Sequence, residues 1–321
     1  MKSAICTLFE GSYHYGVAAL SNSLYASGFR GAIYAGYRGP LPAWAAAAKP
    51  ATLPPWTGAT ELRAAEGLNV VFVPLTTDAH LTNFKPDFML ALLDGPARYA
   101  DAMFYLDPDI CVVERWGFFE DWVNSGVALC EDLSSPVPQF HPRRIGWRRY
   151  YAQRGLELRF RGAEYVNGGF VGVRADDRSF LALWKQAMDL MVDEIGSLAV
   201  ASIAAGQAYR STGFAGCFDR TDQDALNVAV ELSEVPASII GQEAMAFKPG
   251  AALLPHALGA GKPWQRSYLR MALGGTPPRM ADKAFWANVS TPIDPFQSSR
   301  PAFKKLDLTA AAAVGRVLRR A

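Results

Sequence analysis

The chain has 321 residues, half of them hydrophobic and 19% charged, with a formal net charge of +2. That composition excludes a disordered chain and supports a sizeable core, while so small a charge gives no field for holding nucleic acid. Cys6, Cys111, Cys130 and Cys217 have no C-x-x-C spacing, which argues against zinc or a disulfide framework and for buried thiols in a reducing compartment. Met1-Lys2 runs straight into a strand-like segment, so no secretory leader is expected. No stretch reaches the roughly 20 apolar residues of a membrane span. A cytoplasmic location fits.

In chain order, Ser3–Phe9 reads as a first strand. Tyr15–Ser27 follows as a helix, with Val17, Leu20 and Leu24 at helical spacing and Gly28 at its C-cap. Gly31–Tyr37 is a second strand. Gly39–Ala59, rich in Pro and Ala, reads as a long surface connection. Leu68–Pro74 is a third strand, and Pro86–Leu93 a helix entered through proline. Ala102–Leu106 is a fourth strand, apolar on both faces. This βαβαβ alternation predicts an α/β fold with a mostly parallel central sheet flanked by helices. There is no G-x-G-x-x-G after the first strand, which disfavours a dinucleotide-dependent dehydrogenase.

Beyond it, Val127–Glu131 and Tyr165–Val173 are expected strands. Asp177–Ile195, capped by Asp176 or Asp177, and Asp224–Leu232 are expected helices, and Ala252–His256 a last short strand. One domain is expected over residues 1–265, followed by a C-terminal helical or irregular tail over 266–321.

Four stretches carry the chemistry. The fourth strand delivers Asp107 and Asp109 around Pro108, at the carboxyl end where ligands of open α/β sheets bind. Two acids there suit a divalent cation, and they equally suit an Asx-type turn. His256-Ala-Leu-Gly-Ala-Gly-Lys262-Pro-Trp264 brings an imidazole, glycines that allow close backbone approach and a positive point charge. Carboxylates plus imidazole form a hard-to-borderline donor set for Mn²⁺, less well for Mg²⁺. Thr221-Asp222-Gln223-Asp224-Ala-Leu-Asn227 has acids at a helix start, which capping alone explains in part. Asn167-Gly168-Gly169 places glycines in a strand that something approaches closely.

In this order the four stretches resemble glycosyltransferase family 8, of GT-A fold, over roughly residues 3–264. DPD stands for the family's D-x-D, NGG for N-[SA]-G, DQDALN for DQD-x-LN and HALGAGKPW for H-x-x-G-x-x-K-P-W, with Pro108 departing from the usual D-A-D. The resemblance implies a metal held by Asp107, Asp109 and His256, and a donor diphosphate on Lys262 and the Gly259 backbone. Thr7, Leu8 and Tyr13 match the uracil and ribose contacts, and Lys85 the basic residue near the donor. Asn167, Asp222 and Gln223 match residues around the sugar and acceptor.

The implied reaction moves a hexose from a nucleoside diphosphate sugar, a UDP-hexose, to a hydroxyl of a bacterial surface glycan or lipid-linked sugar. Anomeric configuration is retained. The reading favours front-face attack, with a donor phosphate oxygen as base, Asp222 orienting substrate and the Gln223 carbonyl oxygen facing an oxocarbenium-like centre. Two rivals are a sugar-nucleotide-forming nucleotidyltransferase, whose glycine- and arginine-rich first loop is missing here, and a glycan-binding pseudoenzyme. The arginine-dense run Arg143–Arg161 reads either as a solvated face or as a surface for an anionic acceptor met by Arg148 and Arg149. The tail Phe303–Ala321 reads either as a frayed terminal helix or as a basic amphipathic helix resting on an anionic inner leaflet. In that helix Leu306, Val314, Val317 and Leu318 share a face, with Lys304, Lys305, Arg316, Arg319 and Arg320 around it.

Overall fold

A computed structural model describes residues 1–202, 214–296 and 298–318. The chain opens with β1 (Ser3–Glu10), α1 (His14–Ala26) and β2 (Gly31–Arg38). The helix stops where the Ser27 N–H turns back to Ser23 O and Gly28 takes φ +94°, a conformation only glycine adopts cheaply. The segment expected as a surface connection is more structured than that. Trp44 and Ala45 are buried, and β3 (Lys49–Pro50) and β4 (Thr60–Ala65) add an antiparallel edge. Thr60–Ala65 is half-buried without a clean alternation, so periodicity gave it no signal.

β5 (Leu68–Pro74), α2 (Lys85–Asp94) and β6 (Ala102–Leu106) follow as expected. Helical crossovers therefore lie after β1 and β5, and the connection from β2 to β5 runs through the edge strands instead. Then come α3 (Trp116–Trp122), β7 (Val127–Glu131), α4 (Pro142–Ala152), β8 (Val166–Arg174), α5 (Ser179–Ile195), α6 (Thr221–Leu232) and β9 (Ala237–Ile240). α5 starts two residues later than expected and has no side-chain cap; Asp176 and Asp177 sit in a preceding 3₁₀ turn.

The sheet runs β3-β4-β5-β2-β1-β6-β8-β7-β9. Its centre, β5-β2-β1-β6, is parallel, while β8 enters antiparallel to both β6 and β7. Alternate residues feed two apolar layers. Met103 and Tyr105 of β6 join the layer containing α2, α4, α5 and α6, whereas Phe104 and Leu106 join the layer containing α1 and α3. Burial on both faces is why these strands read as continuous apolar runs.

The arginine-dense run forms α4 and the chain after it, and most of its members are engaged within the protein. Arg144 is buried and paired with Glu231, Arg143 lies against Asp219 and Asp224, and Arg159 and Arg161 pair with Glu234. Arg148 donates to the Gln139 carbonyl and Arg149 is exposed.

The C-terminal region is helical and docked. α7 (Tyr268–Leu273), α8 (Met280–Ala287) and α9 (Arg300–Leu318) bury Tyr268, Phe285, Trp286 and Leu308 with Trp264 against Ala19 of α1. Asn22 clamps the region, donating to Asn288 O and Ile293 O and accepting from the Ile293 N–H. Leu308 and Ala311 form the buried side of α9, with Val314 beside them, while Phe303 and Leu306 are turned to solvent. The expected sharing of a face by Leu306 and Val314 is therefore not what packing selects. Arg319 and Arg320, and the side chains of Val317 and Leu318, lie outside the described residues. No described helix is long and apolar enough to cross a membrane.

Candidate active site

β6 ends at Leu106, and the Asp107 N–H makes one further bond, to Gly169 O of β8 (2.8 Å). Pro108 then opens a turn closed by Ile110 N–H to Asp107 O (3.1 Å). α1 sits close on this turn: a Cβ at Gly16 would collide with the Pro108 carbonyl. The strand expected at Ala252–His256 is an extended segment with one bridge, between Ile110 and His256. Leu253 and Leu254 both direct their N–H to Ala244 O and Pro255 has none to offer, so residues 253–255 only accept across the pair, from Val113 N–H (3.0 Å) and Cys111 N–H (3.2 Å). The bridge is enough to carry His256 to the two aspartates.

Each carboxylate there is held by one oxygen. Asp107 Oδ1 accepts from Tyr105 OH (2.7 Å) and lies 3.4 Å from Lys85 Nζ, leaving Oδ2 3.8 Å from His256 Nε2. Asp109 Oδ2 takes Lys262 Nζ at 2.6 Å, leaving Oδ1 3.2 Å from the same His256 nitrogen. One ligand atom from each of the three residues falls within 4.8 Å of the others. Ligands about 2.1–2.5 Å from a common ion lie roughly 3–3.5 Å apart at right angles and roughly 4–5 Å apart across it, so the set fits an octahedral divalent cation. Burial pushes the Asp109 carboxyl up, but His256 and Lys262 more than offset this and hold it below the usual carboxylate range.

The glycines of β8 make room for this cluster. A Cβ at Gly169 would lie 2.6 Å from His256 Cε1 and 3.0 Å from Asp107 Oδ2, and one at Gly168 would lie 2.9 Å from Asp222 Oδ2. The close approach expected from the sequence is thus made by the site's own side chains.

These groups open on a cavity of about 310 Å³, at the lower end of ligand-binding volumes. Leu8, Tyr13, Lys85, Asn167, Asp222, Gln223 and Lys262 line it together with the metal cluster. Thr7 and Gly259 do not. Thr7 is fully buried with Oγ1 unpartnered, and Gly259 lies in the loop between His256 and Lys262 at φ +89°.

Lys85 is buried, with Nζ 2.7 Å from Asp222 Oδ2 and 2.9 Å from Gly168 O, so it joins the metal cluster to the DQD helix. Burial alone would lower its pKa, yet Asp107 and Asp222 raise it, and the ammonium stays charged. Lys262 rests on Asp109 and Ala257 O, 5.6 Å from the Tyr13 ring centroid. Asn167 accepts from the Gly169 N–H and donates to Asp132 Oδ2 (2.7 Å). Gln223 Oε1 accepts from the Gly168 N–H (3.2 Å), and its Nε2 is buried without a partner among the described residues. The carbonyl oxygen keeps a second lone pair free beyond the Gly168 bond.

Sequence reasoning missed Glu10, His80, Tyr105 and Arg220 on the wall and Asp132 behind it. Tyr105 had a signal: it precedes Asp107 by two, the spacing of one strand face. Arg220 directly precedes the TDQD stretch. His80 and Asp132 lie in irregular segments and carried none.

No protein-family model and no curated protein matches this sequence. Solved structures do, glycosyltransferases among them. The glycosyltransferase GlyE of Streptococcus pneumoniae TIGR4 matches all of this chain with a TM-score of 0.52 at 13% identity. This chain spans 65% of the length of that one. An active-site mutant of LgtC matches with a TM-score of 0.47 at 14% identity, over 82% of this chain and 90% of that chain. The galactosyltransferase LgtC with donor and acceptor sugar analogs matches with a TM-score of 0.45 at 15% identity, over the same shares. The fold is the GT-A glycosyltransferase fold expected from the motifs.

Proposed function

We propose that the chain is a metal-dependent, retaining family 8-type glycosyltransferase. It moves a hexose from a nucleoside diphosphate sugar, a UDP-sugar, to a hydroxyl of a surface glycan or lipid-linked sugar on the cytoplasmic side. The observation that carries this is the convergence of Asp107, Asp109 and His256 beside Lys262 and Lys85 in one cavity at the carboxyl end of β6. A divalent cation there, Mn²⁺ before Mg²⁺, supplies positive charge against the departing diphosphate.

The roles of the chain's own residues follow from their places. Tyr13 and Leu8 border the nucleoside with Thr7 behind, and Lys262 with the Gly259 loop meets the diphosphate. Asn167 and Asp222 orient the sugar and acceptor hydroxyls, and Lys85 holds Asp222 in place. Gln223, on the cavity wall, turns its carbonyl oxygen to an oxocarbenium-like centre. Its amide is no nucleophile, which supports front-face attack with the acceptor proton passing to a phosphate oxygen of the donor.

A panel of nucleotide sugars assayed for donor hydrolysis tests the reading. UDP-hexose should be turned over with Mn²⁺ and not after EDTA. No turnover of any donor would remove the proposal, and pyrophosphate release from UTP and hexose 1-phosphate would favour the nucleotidyltransferase rival. Peripheral membrane contact is supported by Phe303 and Leu306, exposed on α9 with Lys305. Phe303→Asp with Leu306→Asp should cut sedimentation with anionic liposomes; equal sedimentation would leave α9 no membrane role.

A further inference from the structure

One cation on the cavity wall has no task in the transfer of a neutral hexose. Arg220 immediately precedes α6, and its side chain is 45% exposed. Among the described residues its guanidinium meets a single acid, with Nη1 3.4 Å from Asp132 Oδ2. That separation is long for a charged hydrogen bond. Asp132 is itself fully buried and already accepts from Asn167 Nδ2 at 2.7 Å and the Ser134 N–H at 2.9 Å. The carboxylate is therefore satisfied without Arg220, and most of the guanidinium fork is left unengaged.

The two lysines of the wall each lie on acids of the metal end. Lys85 is wedged between Asp222 and Asp107, and Lys262 lies on Asp109. Positive charge at the metal end is thus matched by the site's own acids. Arg220 stands at the other side of Asn167, whose amide spans from the Gly169 N–H to Asp132. There, among the described residues, a half-exposed guanidinium with one long contact to Asp132 keeps N–H donors to offer beside the residues assigned to the sugar and acceptor. The arginine run, read either as a solvated face or as a surface for an anionic acceptor, lies elsewhere, since neither Arg148 nor Arg149 lines the cavity.

A guanidinium offers paired N–H donors in a plane, which match a carboxylate or phosphate and give no comparable gain with a neutral hydroxyl. We propose that Arg220 makes the sugar end of the cavity selective for an anionic substituent, a carboxylate or phosphate carried on the transferred sugar or on the acceptor. The inference rests on the glycosyl-transfer reading above.

Two arms separate the sources. Donor hydrolysis compares UDP-glucose with UDP-glucuronate and UDP-galactose with UDP-galacturonate. Transfer assays compare one oligosaccharide acceptor with and without a phosphate. In one arm the anionic member should exceed its neutral counterpart about tenfold in kcat/KM. That ratio should collapse toward unity in Arg220→Gln and be partly kept in Arg220→Lys. A ratio near unity in both arms, or the same ratio in wild type and Arg220→Gln, overturns the role of Arg220 while leaving glycosyl transfer standing. No turnover of any donor overturns the glycosyl-transfer reading and this one with it.

Discussion

Replacing Lys85 by Met keeps the aliphatic stem and removes one buried charge. In the native protein that charge is 1% exposed and bonded to Asp222 Oδ2 at 2.7 Å and Gly168 O at 2.9 Å, with Asp107 Oδ1 at 3.4 Å. Its loss strands a mostly buried carboxylate and a buried carbonyl. Removing one partner of a buried pair costs about 3–5 kcal/mol, and the stranded carboxylate dominates that figure. In a chain of this length the melting temperature should fall by roughly 2 °C per kcal/mol, or about 6–10 °C. A double-mutant cycle isolates the pair. Asp222→Asn removes the orphaned charge, so the double variant should be less destabilised than the sum of the singles by about 1–3 kcal/mol. Urea midpoints at constant m-value measure all four corners. Additive effects, or a Lys85→Met cost below about 1 kcal/mol, would mean that Lys85 is not the strut between the metal cluster and the DQD helix.

Wild-type protein should gain about 2.7 kcal/mol of stability with Mn²⁺ at a hundred times its Kd, and Asp109→Ala or His256→Ala should gain none; an equal thermal shift in all three would place the cation elsewhere. Gln223→Ala and Asp222→Asn should lower turnover more than UDP affinity by calorimetry, and a tenfold loss of UDP affinity, about 1.4 kcal/mol, would assign them to the nucleotide instead. The last prediction concerns Asp224. Burial pushes its carboxyl from 3.8 up to about 6, against the pull of Arg143 and three hydrogen bonds. An acid whose pKa is raised on folding stabilises the protein below its unfolded value and loses that contribution as pH rises through the folded one. The advantage of wild type over Asp224→Asn in urea unfolding should therefore shrink by about 2 kcal/mol between pH 4 and pH 7. A pH-independent difference would refute the raised value.

Much of the fold was legible because it is written in local pattern. The parallel strands β1, β2, β5 and β6 are runs apolar on both faces, and α1, α2, α5 and α6 have helical spacing or entry signals, so their existence follows from burial and backbone geometry alone. β4, next to the β3 edge, and the edge strand β9 escaped, since neither has a buried face and neither shows an alternation. The helix α4 escaped too, hidden by four arginines among its eleven residues.

That Asp107 and Asp109 stand at a strand end was legible from residue type and position, as were NGG in a strand and DQD at a helix start. The wiring of the site was not. Lys85 and Asp222 are 137 positions apart, and Lys262 and Asp109 are 153 apart.

By itself, then, the sequence determined the central strands, the helices with clear apolar spacing and the residue types offered at the strand end, because those depend on neighbours within a few residues. Only the tertiary structure decided that Lys85 braces Asp222, that Arg144 is neutralised by Glu231 rather than offered to a ligand, and that Arg220 is left unspent on the cavity wall. Whether a charge is satisfied depends on which distant acid the strand order and crossovers bring within about 4 Å, and no local spacing encodes that.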